Sequence, residues 1–295
     1  MRDFDFASPA TLTEAISLFS RHNGTAKPLA GGTDLIDHVR TGRLAPDWVI
    51  DIKKIPELNV LEMTSEGLRL GAAVPCYKIY HDEELVKKYS ALVDSCRIIG
   101  GIQIQNRASV GGNLCNSGPA ADSIPALIAL GATCIIAGPS GQREVPVEQF
   151  CTAPGKNVLQ PGEILVELKL PARPSHSGSF YQRFIPRNEM DIAVVGVGVS
   201  VVLDSSKKNF VSGRIALGAV GPTPIFAEEA GNALAGKPVS DETIAEAAKI
   251  AQGYATPIDD MRGTQEYRIH ITKVLTERSI KAAVERAKGK TVKSH

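Results

Sequence analysis

SVGGNLCNSGPAADSIPAL, residues 109–127, decides how this chain reads. Two adjacent glycines, Gly111 and Gly112, stand just before Asn113. A run of small residues follows, and Asp122 then heads an apolar segment, 124–130, that reads as a helix. So much bare backbone beside a helix start suits an anion held by main-chain N–H groups. A second stretch of the same kind, LAGGTDL over 29–35, lies between a short strand at 26–30 and a helical stripe carried by Leu35, Ile36 and Val39. The helix start after this loop favours negative charge.

Glycine permits positive φ and lets a ligand come close to the main chain. Thr33, Ser109 and Asn113 can add side-chain hydrogen bonds. Two separated anion loops suit a diphosphate, each neutralising part of it, and flavin adenine dinucleotide (FAD) carries one. Its ribityl and ribose hydroxyls also need acceptors, and Asp122 is a fitting one. Paired glycines also make tight turns, and an acid ahead of an apolar helix is also an N-cap. The residues by themselves leave both readings open.

The chain has 295 residues, 43% of them hydrophobic, enough for one large domain or two ordinary ones. Lys plus Arg number 33 and Asp plus Glu 32. Without a basic excess, a general nucleic-acid or membrane-surface binder is not expected. The basic stretch 281–293 reads as a solvated helix end. The first residues, MRDFDFASPATL, carry no apolar signal core, and no run of about 18 apolar residues occurs, so a cytoplasmic protein is expected. In that setting the triplet Asn23-Gly24-Thr25 has no glycosylation meaning. Five cysteines (Cys76, Cys96, Cys115, Cys134 and Cys151) are widely spaced, which predicts buried thiols rather than disulfides or an iron–sulfur cluster.

Ser8-Pro9 reads as an N-cap and first helical residue, with Leu12, Ala15, Ile16 and Phe19 on one face and Gly24 at the end. A buried strand is predicted at 48–52, a hairpin over 58–73 turning near Glu66-Gly67, two helices within 76–99, and a strand at 133–137. Alternation of Ile164, Val166, Leu168 and Leu170 predicts a half-buried strand. PARPSHSGS, 171–179, reads as a linker. Beyond it come three strands, at 180–185, 193–203 and 210–220, and three helices, near 226–235, 241–254 and 264–287. The pattern gives two α+β domains, 1–174 and 175–295.

Several motifs fail. Residues 231–237 approach a P-loop, but Pro238 stands where Ser or Thr should hold magnesium, and Gly236 reads as a helix C-cap. Gly196-Val-Gly198 lies inside a predicted strand, where close packing is the simpler reading. The six histidines show no metal spacing, and no nucleophile elbow appears.

LAGGTDL and SVGGNLCNSGPAADSIPALIALGA resemble the FAD-binding medium subunit of the molybdenum hydroxylases, the family of carbon monoxide, xanthine and nicotinate dehydrogenases. FYQRFIPRNEMDIAVVGVGVSV (180–201), GAVGPTPIFA (218–227) and DDMRGTQEYRIHITKVL (259–275) extend the likeness over nearly the whole chain. The resemblance implies an α+β FAD cradle in two subdomains, of the para-cresol methylhydroxylase and vanillyl-alcohol oxidase type, followed by a smaller antiparallel sheet with helices. It implies that Leu29, Ala30, Gly31, Gly32, Thr33, Asp34, Leu35 and Ser109, Val110, Gly111, Gly112, Asn113 wrap the diphosphate, that Asp122 takes a ribose or ribityl hydroxyl, and that Leu165 packs on the adenine side. Arg183 stands where the family usually has lysine. Ile99 and Ile192 occupy positions that resemble ones lining the flavin ring, though core packing explains them equally. Asp191 is placed near the flavin, where its charge would disfavour the anionic reduced ring.

The resemblance further implies noncovalent FAD, since no histidine lies beside either loop, and no extra cluster, since no cysteine-rich insertion interrupts the chain after 113. It implies a large molybdopterin subunit, a small subunit with two [2Fe–2S] clusters, and NAD⁺ or another acceptor, arranged as a dimer of heterotrimers. No metal site and no acid–base or nucleophilic catalytic residue is expected in this chain. The alternatives are a standalone reductase resembling UDP-N-acetylenolpyruvoylglucosamine reductase and a flavin-free assembly or regulatory module.

Overall fold

A computed structural model describes residues 2–22 and 24–294, so Asn23 of the glycosylation triplet lies outside the described residues. The architecture is α+β. The chain opens on a small parallel sheet of β1 (Asp5–Ala7), β2 (Ala26–Leu29) and β3 (Trp48–Asp51) in the order β1-β3-β2. Its crossovers are α1 (Leu12–Arg21) and α2 (Leu35–Arg40). Helix α1 starts later than the Ser8-Pro9 pair suggested. Thr11 Oγ1 accepts from the Glu14 N–H at 3.2 Å, while the Glu14 carboxylate accepts from the Ala10 N–H at 3.2 Å. That reciprocal cap satisfies two otherwise orphaned N–H groups and so sets the helix start.

The next sheet is antiparallel and five-stranded. It contains β4 (Leu61–Thr64), β5 (Gly67–Gly71), β6 (Thr133–Gly138), β7 (Gly141–Pro146) and β10 (Ile164–Pro171), in the order β4-β5-β10-β6-β7. A two-stranded ribbon, β8 (Cys151–Ala153) with β9 (Lys156–Asn157), is set apart from it. Strand β10 is not half-buried as its alternation suggested: Ile164 through Leu168 are all buried. The reason is a bulge between Leu165 and Glu167. The extra residue reverses the faces, so Ile164 and Val166 join one core cluster while Leu165, Leu168 and Leu170 join another. The strand is central, with apolar layers on both sides, and its buried Glu167 is paired with Arg69 at 2.8 Å.

Between β5 and β6 run α3 (Cys76–His81), α4 (Glu83–Lys88), α5 (Ser90–Cys96), α6 (Ile102–Gln105), α7 (Val110–Asn116) and α8 (Ser123–Leu130). Three helices occupy the span where two were predicted. Asp82 makes the difference, because its carboxylate accepts from the Glu84 and Leu85 N–H groups and starts a new helix. Every residue of α8 is buried.

The C-terminal sheet, β11 (Ser177–Phe184), β12 (Val195–Leu203), β13 (Phe210–Gly218) and β14 (Ile225–Phe226), is antiparallel in sequence order. One face packs on α9 (Glu228–Asn232), α10 (Asp241–Gly253) and α11 (Gln265–Ala287), and the other receives α5 and α8. Strand β11 begins inside the stretch read as a linker. There Gly178 lies so close under α11 that a Cβ would sit 2.1 Å from the Ala283 carbonyl oxygen. Gly198 is equally constrained, with a Cβ position 2.4 Å from the Pro125 carbonyl oxygen of α8, so close packing explains the glycine pair in β12. Gly236 is not a helix C-cap: α9 ends at Asn232 with Ala233 as its cap, and Gly236 turns the chain three residues beyond that cap at φ +74°.

Candidate functional site

A cleft of about 950 Å³ lies between the β2–α2 connection, the start of α7, the segments 118–122 and 159–165, and the end of β11. Its size falls at the upper end of the roughly 300–1,000 Å³ typical of ligand sites, which suits a large dinucleotide. All predicted site residues line it except two. Leu29 lies beneath the first loop, where its Cδ1 would be 2.8 Å from a Cβ on Gly32. Val110 is 1% exposed and packs in the core behind α7. Both support the cleft wall from behind.

The glycines serve different purposes. Only Gly32 has the positive φ, +77°, that was expected of the pairs. Gly31 and Gly111 are required by close approach. A Cβ on Gly31 would sit 2.1 Å from the Arg107 carbonyl oxygen, and one on Gly111 would sit 2.4 Å from the Ala72 carbonyl oxygen. SVGGN is not a free loop but the cap and first turn of α7, with Ser109 Oγ accepting from the Gly112 N–H at 3.0 Å. In the first loop the N–H groups of residues 31–35 donate to no acceptor among the described residues. The two stretches touch each other. Arg107 Nε donates to the Gly31 carbonyl at 3.2 Å, and Asn116 Nδ2 donates to Asp34 at 2.8 Å. The result is a run of unpaired donors facing a glycine-lined helix start across one cleft, a setting that attracts an anion.

Asn113 holds its own side chain in place. Its Oδ1 accepts from Ser123 Oγ at 2.6 Å, which leaves the amide NH₂ as a donor. Asp122 does not cap α8 with its side chain. Its carboxylate instead accepts from Tyr181 Oη at 2.8 Å and from Arg183 Nη1 at 2.6 Å. Both partners come from β11 two residues apart, on one strand face. Arg183 and Asp122 are 5% and 9% exposed, so this is a buried ion pair at the cleft wall. Burial pushes the Asp122 carboxyl up to about 6, against the opposing pull of Arg183 and Tyr181. Asp122 is therefore ionised at neutral pH and tops out as a hydroxyl acceptor only above that value.

The raised carboxyl has a consequence for stability. A carboxyl whose pKa is higher folded than unfolded binds more protons in the native state between about 4 and 6. Its contribution to stability is full below about 4 and is lost as pH rises through about 6. Asp122→Asn removes this titration. Its melting-temperature profile should lack the fall between pH 4 and 6 expected of the native chain, and parallel profiles in that window would assign the titration elsewhere.

Asp191 lines the cleft beside an exposed Ile192, whereas Ile99 is 9% exposed and belongs to the core as well as the cleft. Ordinary packing thus describes Ile99 but not Ile192. Asp191 is not a bare negative charge, as its expected tuning role required. Arg187 lies 3.1 Å away and Arg262 4.0 Å away, and Arg187 first, with the Ile192 N–H, holds the carboxyl below the usual range. Its charge is therefore paired with cations on two sides. Sequence reading missed Arg107, Asn116 and Tyr181. Tyr181 alone had a local signal, its i, i+2 spacing from Arg183 in a predicted strand. No metal-ligating cluster occurs among the described residues, and no helix of them is long and apolar enough to cross a membrane.

Residues 2–173 match the FAD binding domain in molybdopterin dehydrogenase, and residues 180–283 match the CO dehydrogenase flavoprotein C-terminal domain. A putative xanthine dehydrogenase FAD-binding subunit of Escherichia coli is 34% identical over 97% of this chain and 99% of its own. The carbon monoxide dehydrogenase medium chain of Afipia carboxidovorans is 30% identical over 97% and 98%. In three dimensions the chain superposes on carbon monoxide dehydrogenase from Hydrogenophaga pseudoflava with a TM-score of 0.92 at 29% identity, covering 97% of this chain and 98% of that one. Quinoline 2-oxidoreductase from Pseudomonas putida 86 gives a TM-score of 0.88 at 27% identity, covering 97% and 98%. A glycine-walled cleft shaped for a dinucleotide, and likeness along nearly the whole length, make this chain a member of the FAD-binding medium subunits of the molybdenum hydroxylases, an oxidoreductase family.

Proposed function

We propose that this chain is the electron-relay subunit of its complex, accepting electrons from [2Fe–2S] clusters of a small subunit and delivering them to NAD⁺ or another acceptor. FAD supplies the redox chemistry when bound. The large subunit would hold molybdopterin and carry out the substrate step, and the assembly would be a dimer of heterotrimers in the cytoplasm. The two matched regions support a division of the chain near residue 175.

The observation that carries the reading is the uninterrupted row of unpaired N–H groups over 31–35, set across the cleft from the Ser109–Gly112 cap. Those donors fit a diphosphate. Thr33, and Asn113 through its free amide, add side-chain donors. Asp122, fixed by Tyr181 and Arg183, presents its remaining lone pairs to a hydroxyl. Leu165 offers an apolar wall and Ile99 and Ile192 another. No histidine among the described residues lines the cleft. Burial pushes the Cys115 thiol up to about 12, so that cleft cysteine stays protonated and is no nucleophile. These features favour noncovalent binding.

A standalone reductase would need its own proton donor beside the flavin. The two buried carboxylates of the cleft are both held as acceptors, Asp122 by Tyr181 and Arg183 and Asp191 by Arg187. The test is purification of the chain from its natural source, with visible spectroscopy and metal analysis. Flavin absorption together with molybdenum and iron supports the relay reading. Flavin without either metal points to the standalone reductase, and a colourless complex that takes up no added FAD sinks both.

A further inference from the structure

We propose that Arg107 is a positioning residue for the cofactor, locking the Gly31–Gly32 peptide so that its N–H, not its carbonyl, faces the cleft. This rests on the reading that the FAD diphosphate lies between the two glycine stretches. A trans peptide places C=O and N–H on opposite sides. Arg107 Nε donates to the Gly31 carbonyl at 3.2 Å and so holds that oxygen on the Arg107 side. The Gly32 N–H is thereby directed the other way, and it donates to no acceptor among the described residues.

The lock matters because nothing on the peptide itself resists a flip. Glycine stands on both sides of this peptide, so rotation meets no Cβ. Behind the loop lies an open hollow of about 520 Å³ lined by Gly31, Gly32, Thr33, Arg40 and Arg107, which leaves room for the reversed peptide. A flipped peptide would present a carbonyl oxygen to the phosphate and turn attraction into repulsion. Arg107 also precedes the Ser109 cap by two residues, so the same residue ties the first loop to the second. Asn116 makes the matching tie to Asp34 at 2.8 Å.

The guanidinium is exposed, so its truncation should leave the fold intact. FAD and riboflavin are titrated into the flavin-depleted complex, native and R107A. Loss of a charge-assisted hydrogen bond that orders a ligand donor predicts FAD binding weaker by roughly tenfold to a hundredfold. Riboflavin, which has no phosphate, should bind equally to both. The FAD deficit should persist at 1 M salt, where the Debye length is about 3 Å, and R107K, which restores a donor, should recover most of it. Native-like FAD binding by R107A overturns the proposal. So does a deficit that disappears at 1 M salt, which would mean simple charge attraction, or an equal loss of riboflavin with a lowered melting temperature, which would mean general loosening. Gly112→Asp, which puts a carboxylate among the donors and whose Cβ would meet only the Ser109 hydroxyl, at 3.0 Å, separates this from the parent reading. If Gly112→Asp also keeps full FAD affinity, the diphosphate cradle itself is wrong.

Discussion

Gly31→Ala is expected to yield a complex that purifies with little or no flavin. The added Cβ would lie 2.1 Å from the Arg107 carbonyl oxygen, 2.6 Å from its carbon and 3.0 Å from the Ala108 nitrogen. All three are main-chain atoms, so no rotamer change relieves the clash. Ordinary contact between such atoms is about 3.5 Å, so the two stretches must separate by more than 1 Å. Donors displaced this far cannot keep hydrogen-bond geometry toward one ligand, because bonds to N–H groups are made within about 2.7–3.2 Å. The Arg107–Gly31 and Asn116–Asp34 ties would be strained at the same time. We expect at least a hundredfold loss of FAD affinity, equivalent to about 3 kcal/mol. It would be read as the flavin-to-protein ratio after purification and by titration of the depleted complex. Because the strain sits on a surface connection, the flavin-free melting temperature should fall by only a few degrees. Stoichiometric flavin in this variant would mean that the two stretches do not jointly hold the cofactor.

What was legible in the sequence was local. The paired glycines, Asp122 ahead of its apolar segment, and the strand bearing Arg183 all announce themselves within a few residues, and the structure gathers them at one cleft. The reasons for the glycines were not legible. Positive φ is a local property and describes Gly32. The Gly31 and Gly111 requirements come from Arg107 and Ala72, 76 and 39 positions away in the chain, which no window could show. The face reversal in β10 escaped for a related reason: a bulge is set by its partner strand, and the alternation of Ile164, Val166, Leu168 and Leu170 cannot reveal it. The pairing of Asp191 was only partly legible, because one of its two arginines, Arg262, comes from a distant segment. Helix ends were misread where a stronger cap lay a few residues on, as at Thr11 and Asp82.

Asp94→Ala should be the most destabilising single change away from the cleft. Asp94 lies on α5, its side chain 3% exposed, and accepts from Arg286 of α11 at 2.6 and 3.0 Å and from the Tyr181 N–H of β11 at 3.2 Å. Arg286 is 12% exposed and also donates to the Ser179 carbonyl at 2.8 Å and the Val292 carbonyl at 2.6 Å, with its guanidinium over the Phe180 ring at 4.5 Å. Removing the carboxylate strands a buried cation, which costs about 3–5 kcal/mol. At about 2–4 °C per kcal/mol for a chain of this size, the melting temperature should drop by about 10 °C. The double variant Asp94→Leu with Arg286→Met, which removes both charges and keeps apolar volume, should recover much of that loss. If it is no better than the single variant, the cost lies in packing and not in the orphaned charge. The pair also bears on the cofactor. Strand β11 presents Ser179 and the Tyr181 N–H to the Asp94–Arg286 bridge, and Tyr181 Oη and Arg183 to Asp122. One strand is therefore pinned by a buried acid from α5 and a second at the start of α8, and its position sets where Arg183 enters the cleft. Asp94→Ala should consequently weaken FAD binding severalfold while leaving the glycine stretches untouched, a much smaller loss than Gly31→Ala produces. The opposite ranking, with flavin lost and stability kept, would show that Asp94 acts on the site by a route other than this strand.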